Sequence, residues 1–282
     1  MSMQSVAAET LAWVKAELNY LAPTRERPRT YTFDPPAGAR RTTIINDPHE
    51  VPIINARRVI VDPTLDEEGF SLVHHISAVR NFYDDEEVKR TYYPEAEALL
   101  KTLTGADRVH VFDHTVRRRV PGTADRRSDA PRQPVPRVHV DHTEKSGPQR
   151  VRDLLPDEAE QLLRGRVQII NLWRPIRGPL RDAPLAVCDA QTVKSEQLIA
   201  SDLVYPNRVG ETYSVTFDPD HRWFYVPEMR ADELLLLKCY DTKTDGRARF
   251  APHTAFTDPT TPVDAPPRES IELRTLVFHA GG

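Results

Sequence analysis

Cysteine is almost absent: the 282 residues hold two, Cys188 and Cys239, both in apolar, strand-like stretches. That excludes a disulfide framework and reads as a pair of reduced core thiols in a cytosolic protein. No stretch approaches the ~20 consecutive apolar residues of a membrane span, and the opening MSMQSVAAETLAWVKAELNYL lacks the unbroken apolar run of a secretory signal. A cytoplasmic location is the expectation. Charge of one sign is also missing, since 42 acidic and 38 basic side chains leave a net −4, too little for a general attraction to nucleic acid or an anionic membrane. No internal repeat is visible. What the chain does have is 39% hydrophobic residues, enough for one substantial core, so 1–282 is read as a single domain.

The period of the apolar residues changes along the chain. Val6, Leu11, Val14, Leu18 and Leu21 fit one helical face that Pro23 ends. Residues 24–56, rich in Pro and Arg, read as a wrapping arm or an early strand, so an N-terminal helical and wrapping segment is expected over about 1–56. Residues 84–103 begin acidic and end on Leu99, Leu100 and Leu103, as a helix flanking a sheet does. From Arg108 the period is two. VHVFDHTV, RVHVDHT, RVQIINLW, PLAVCDA, TYSVTF, RWFYVP, ELLLLKCYD and IELRTLVF are strand candidates separated by turn signals. The expected fold is mainly β with flanking helices around a double-stranded β-helix, a jelly-roll or cupin-like core over about 107–279. DEAEQLLRGR and VKSEQLIASDLV read as short helices within it, and Asp218-Pro219-Asp220 as a hairpin turn between TYSVTF and RWFYVP.

His139-Val140-Asp141 carries the chemistry. A strand sends i and i+2 to one face, so His139 and Asp141 point together into a barrel while Val140 packs behind. His253, far downstream, supplies a second imidazole from a strand distant in sequence. Two imidazoles and one carboxylate leave half of an octahedral iron(II) ion open for a co-substrate and oxygen. Arg268 and Arg274 follow, six apart on the final apolar strand. A keto acid such as 2-oxoglutarate carries a distal carboxylate that a fork-shaped guanidinium suits, and either arginine can take that place. HxD alone is a weak signal; joined to a remote His and paired arginines it is a specific one.

These residues resemble the iron(II)/2-oxoglutarate-dependent oxygenases, in particular the gibberellin-desaturase-like group, which includes proteins similar to the cephalosporin 7-alpha-hydroxylase component of cephamycin pathways. The stretches that carry the resemblance include EGFSLVHHISAVRNFYDDEEVKRTYYPEAEALLKTLTGADRVHVFDHTVR, RVHVDHT, NLWRPIRGPLRDAPLAVCDA, LLLLKCYDT and APHTAFTDPTTPVDAPPRESIELRTLVF, together about residues 55–278. The resemblance implies iron(II) on His139, Asp141 and His253, with 2-oxoglutarate and O2 as co-substrates. It implies Arg268 on the distal carboxylate, and Arg274 near the other carboxylate or the substrate. Asn171, which shares a strand face with Trp173, either bonds 2-oxoglutarate or an iron-bound ligand, or merely satisfies backbone. The implied reaction is hydroxylation or desaturation of an aliphatic carbon in a small secondary metabolite. Asp141 argues against halogenation, which needs a halide where the carboxylate binds.

Other features have blander readings. His74, His75, His110, His114 and His142 are left out as primary ligands. The basic group Arg117, Arg118, Arg119, Arg126, Arg127 and Arg132 is a solvated face or a lure for a carboxylate-bearing substrate. Trp223, Phe224 and Tyr225 alternate on a strand and read as core packing, or as a strand with one side toward the substrate. Residues 120–136 read as a lid over a barrel mouth or as an ordinary surface loop. Two other classes are carried: a metal-binding jelly-roll subunit that acts only with a partner enzyme, and a cupin-type enzyme that uses no 2-oxoglutarate. A pathway partner enzyme or a homo-oligomer is compatible with either kind of catalyst.

Overall fold

The computed structural model describes residues 11–59, 62–122 and 131–280. Two sheets face each other. The larger runs, edge to edge, through β1 (Trp13–Leu21), β3 (Asn46–Asn55), β11 (Trp223–Tyr225), β8 (Leu185–Cys188), β13 (His253–Ala255), β6 (His139–Val140), β10 (Val209–Val215), β9 (Leu198–Val204) and β2 (Arg29–Tyr31). The smaller is β4 (Phe70–His74), β12 (Glu233–Asp241), β7 (Arg166–Pro175), β14 (Glu269–His279) and β5 (Arg108–Arg118). The nine-stranded sheet curls until β1 reaches the chain just before β6, where the Val138 amide donates to the Asn19 carbonyl at 2.9 Å.

Both faces of the small sheet are covered, which explains why ELLLLKCYD does not alternate. Leu235, Leu237 and Cys239 of β12 face inward with Ile169 and Trp173 of β7, against Val140, Val187 and Phe224 of the curled sheet. Leu234 and Leu236 face outward with Ile170, Leu172, Ile271 and Leu273, beneath a helical layer. That layer is a single turn α1 (Asp85–Glu87), a π-helical turn Val88–Tyr92, and α2 (Tyr93–Thr104). Asp84 caps it by accepting from the Glu86 and Glu87 amides, and Gly105 ends it at φ 68°. Each fully buried Leu contributes ~1.5–3 kcal/mol, so the covering helix and the sheet stabilise each other. Two further short helices, α3 (Ser146–Leu154) and α4 (Ala159–Leu162), follow the HxD strand.

The eight sequence-read strands from Arg108 onward are all present, but three local expectations are corrected. The opening segment is the strand β1, not a helix: Val14, Ala16, Leu18 and Tyr20 are buried while Trp13, Lys15 and Glu17 are exposed. Leu11, Val14, Leu18 and Leu21 fit a helix only while Ala16 and Tyr20 are ignored. Val6 lies outside the described residues. The segment 193–204 is one 3-10 turn, Ser195–Gln197, leading into β9, which is held by pairing with β10 and β2. The chain does turn at Asp218, whose carboxylate accepts from the Asp220 amide at 2.9 Å. The flanking strands are no hairpin, since β10 pairs with β6 and β9 while β11 pairs with β3 and β8. Cys188 and Cys239 are free and buried. Among the described residues no helix is long and apolar enough to cross a membrane.

Candidate metal centre

The inner faces of both sheets build one polar site. β13 pairs with β6 so that His253 lies directly opposite His139, and their ring centroids are 4.5 Å apart. Asp141 follows β6 with Val140 packed behind it in the core. One ligand atom from each of His139, Asp141 and His253 lies within 4.8 Å of the others. Cross-strand pairing therefore does what sequence distance hides.

The donor atoms are oriented as a metal requires. His139 Nδ1 donates to the Arg137 carbonyl at 2.8 Å and His253 Nδ1 to the Ala251 carbonyl at 3.1 Å. In the neutral ring each of these bonds leaves Nε2 as the acceptor that turns toward the common centre. Burial and the neighbouring His139 push the His253 pKa down, which keeps it neutral. Asp141 is held by one oxygen only: Oδ2 accepts from Asn171 Nδ2 at 2.8 Å and from Arg274 Nε at 3.1 Å. Oδ1 is left facing His139 Nε2 at 3.5 Å. Burial would raise the Asp141 pKa, but Arg274 and the two imidazoles hold it well below the usual carboxylate range.

Arg274 reaches the site from β14, at a bulge in its pairing with β5. Besides Asp141 it bonds Glu272 at 2.7 Å, Asp113 at 3.1 Å and the Thr115 hydroxyl at 3.1 Å. Burial opposes its charge, yet Glu272, Asp141 and Asp113 raise its pKa well above the ordinary arginine value. One guanidinium facing three carboxylates leaves a local excess of negative charge, which a divalent cation among His139, Asp141 and His253 would balance. The donor chemistry fits iron(II).

Glu272 is a member of this cluster that the sequence reading missed; it bridges Asn171 at 3.1 Å and Arg274. Its place two residues before Arg274 on one strand was the available signal. Asn171 spends both amide hydrogens on Asp141 and Glu272, while its buried Oδ1 has no partner.

Arg268 sits apart from this cluster. It is 2% exposed, stacked at 4.8 Å on Trp173, with Nε on Ser270 Oγ at 3.0 Å and Nη1 on the Ala183 carbonyl at 2.9 Å. No carboxylate pairs with its guanidinium among the described residues. Burial, with Arg117 nearby, lowers its pKa to about 9.

The remaining histidines have structural partners or lie off the centre. His74 meets Asp232, His75 meets Arg174, and His114 meets Tyr93 and Asp85. His142 is buried, with burial lowering its pKa to about 4. Trp223, Phe224 and Tyr225 are core residues of β11. Arg126 and Arg127, and residues 123–130 of the expected lid, lie outside the described residues; Pro134, Val135 and Pro136 line a cavity of about 670 Å³ that opens onto His139, Asp141 and Arg274.

Known proteins share this architecture. A family model described as an oxidoreductase/YMDC permease-like domain matches residues 18–278. The chain is 38% identical over 235 residues to the hydroxylase/desaturase efuI of Hormonema carpetanum, covering 76% of this chain and 78% of that protein. It is 32% identical over 279 residues to the Fe(II)/2-oxoglutarate-dependent dioxygenase nvfI of Aspergillus novofumigatus, covering 94% of this chain and 97% of that one. A solved structure of the iron and alpha-ketoglutarate-dependent endoperoxidase NvfI superposes with a TM-score of 0.85 at 29% identity, over 95% of this chain and 98% of that one. The chain belongs to the family this model describes and, with these relatives, to the Fe(II)/2-oxoglutarate-dependent oxygenases of secondary metabolism, with Fe(II), 2-oxoglutarate and O2 as the cofactor and co-substrates.

Proposed function

We propose that His139, Asp141 and His253 hold the iron, that Arg268 receives the distal carboxylate of 2-oxoglutarate, and that the enzyme hydroxylates or desaturates an aliphatic carbon of a small secondary metabolite. The observation that carries the metal assignment is the state of Asp141: one oxygen is tied off by Asn171 and Arg274, and the other lies 3.5 Å from His139 Nε2, beside two imidazoles whose Nδ1 atoms are bonded to backbone carbonyls. When bound, iron(II), 2-oxoglutarate and oxygen supply the oxidising power.

The protein's own part is placement. The Arg137 and Ala251 carbonyls fix the imidazole tautomers, and Arg274 with Asn171 fixes the carboxylate. A buried guanidinium without an anion, as at Arg268, suits a co-substrate carboxylate that brings its own charge. The cavity is of a size that accommodates a drug-sized molecule. The chain is read as one catalytic domain over 1–282.

Anaerobic titration with iron(II) and 2-oxoglutarate tests the reading. A weak visible charge-transfer band is expected for the wild type and is expected to be absent from Asp141→Ala with the fold intact. Full substrate oxidation by Asp141→Ala would overturn the ligand set.

A further inference from the structure

The cavity beside His139 has an imbalance of partners. Its acidic side chains are already engaged: Asp202 and Glu211 by Arg27, Asp113 and Asp141 by Arg274, and Asp153 by Gln149. Those contacts occupy Arg27 and Arg274, and Arg41 bonds Asp34. Arg137 and Arg150 also line the cavity, and neither guanidinium has a hydrogen-bond or ion-pair partner among the described residues. Both are half-buried, and Arg150 Nε is wholly out of solvent with no acceptor.

Each is held where it stands. Arg137 precedes His139 by two residues and shares its face, because Val138 and Val140 are both fully buried behind. Arg150 rides on α3, its guanidinium 5.5 Å over the Phe112 ring. The helix is seated by Gly147, where an added Cβ would meet the Tyr240 ring at 2.6 Å, so the backbone carrying Arg150 cannot shift freely. Arg208, between β9 and β10, stacks on Tyr205 at 4.1 Å and adds a third guanidinium to the same wall. Burial and the Arg208 charge weaken the protonated form of Arg150 and prevail over the opposing pull of Asp113 and Asp153, neither of which is within ion-pair distance of it. A half-buried guanidinium with one N–H out of solvent and no acceptor, as at Arg150 Nε, gains most when an anion arrives.

We propose that Arg137 and Arg150 form a carboxylate subsite, and that the molecule oxidised here is a small organic acid. Its carboxylate docks on the two guanidinia while its apolar body lies along Phe112, Tyr31 and Val135 toward His139 and Asp141. Arginine suits this role because its planar fork matches a carboxylate bidentately. That the bound acid is the substrate rests on the oxygenase reading; that an acid binds does not.

The test uses zinc-loaded full-length protein saturated with 2-oxoglutarate, so that the keto acid's own site is filled. The probes are cyclohexanecarboxylate, 1-adamantanecarboxylate and 2-naphthoate, each compared with its carboxamide by calorimetry. The wild type is expected to bind at least one acid about tenfold or more tightly than its amide. Arg137→Gln and Arg150→Gln are each expected to erase that preference and leave amide and 2-oxoglutarate affinities unchanged. Arg230→Gln, an exposed residue away from the cavity, is expected to keep it. Equal affinities for acid and amide in every pair, no binding of any probe, or a preference that survives in both variants overturns the proposal. A fall in 2-oxoglutarate affinity in the two variants overturns it too, by assigning these arginines to the co-substrate. Failure of the oxygenase reading shows separately, as a missing charge-transfer band in the wild type.

Discussion

Asn171→Ala is the sharpest probe of how the metal centre is built. The amide gives one hydrogen to Asp141 Oδ2 at 2.8 Å and one to Glu272 Oε1 at 3.1 Å, both to carboxylates in a buried setting. Truncation leaves two acceptors short of a donor, although Arg274 still serves both residues. A hydrogen bond to a charged group contributes about 1.5–3 kcal/mol, and only the Asp141 bond bears on the ligand. Loss of such an outer partner weakens metal binding about 10–100-fold. The apo-protein should lose about 1–3 kcal/mol, or several degrees in Tm for a chain of this size. Competitive titration of zinc or cobalt(II) against a chromophoric chelator measures the first quantity, and a thermal melt of the metal-free protein the second. Metal affinity within threefold of the wild type, with the melt lowered as expected, would refute the claim that Asn171 orients Asp141 and reduce it to a packing residue.

Two further outcomes follow from buried charge. Arg268→Gln should raise the 2-oxoglutarate concentration that half-saturates the anaerobic complex about 10–100-fold, the equivalent of one charged bidentate contact, with little change in metal affinity; an unchanged titration would move that role to Arg274. Asp241 sits fully buried against Lys238 at 2.9 Å and Arg166 at 2.7 Å. Burial opposes its ionisation, but Arg166 and Lys238 prevail and its pKa falls below the ordinary 3.8. It therefore contributes stability that is present above the unfolded carboxylate's pKa and lost as pH falls through the lower folded value. Asp241→Asn should cost about 3 kcal/mol at neutral pH and flatten the fall in Tm below about pH 4; a melt-against-pH curve parallel to the wild type's would show that the cluster does not titrate with folding.

How much of this was legible in the chain depends on whether the cause is local. Alternation along a strand is local, so RVHVDHT, RVQIINLW and IELRTLVF announced their faces, and the placing of His139 with Asp141 and of Asn171 with Trp173 followed from period two. The opening segment misled because Leu11, Val14, Leu18 and Leu21 keep a helical spacing, whereas the alternation is carried by Val14, Ala16, Leu18 and Tyr20; the choice fell to β3, whose edge pairs with β1 along its whole length. β9 was missed for a related reason: six of its seven residues are half-buried and give little contrast, and its partner strands decide its conformation.

The sequence by itself carried the candidate donor types and the faces of the strands that alternate, and with two cysteines it excluded a disulfide framework. Only the tertiary structure decided that His253 meets His139 across one ladder, that Asn171 and Arg274 fasten a single oxygen of Asp141, and that Arg137 and Arg150 line the cavity with no ion-pair partner among the described residues. Those facts arise from register between strands and helices far apart in the chain. Register is set by the summed fit of two curved sheets, a property that no single segment carries.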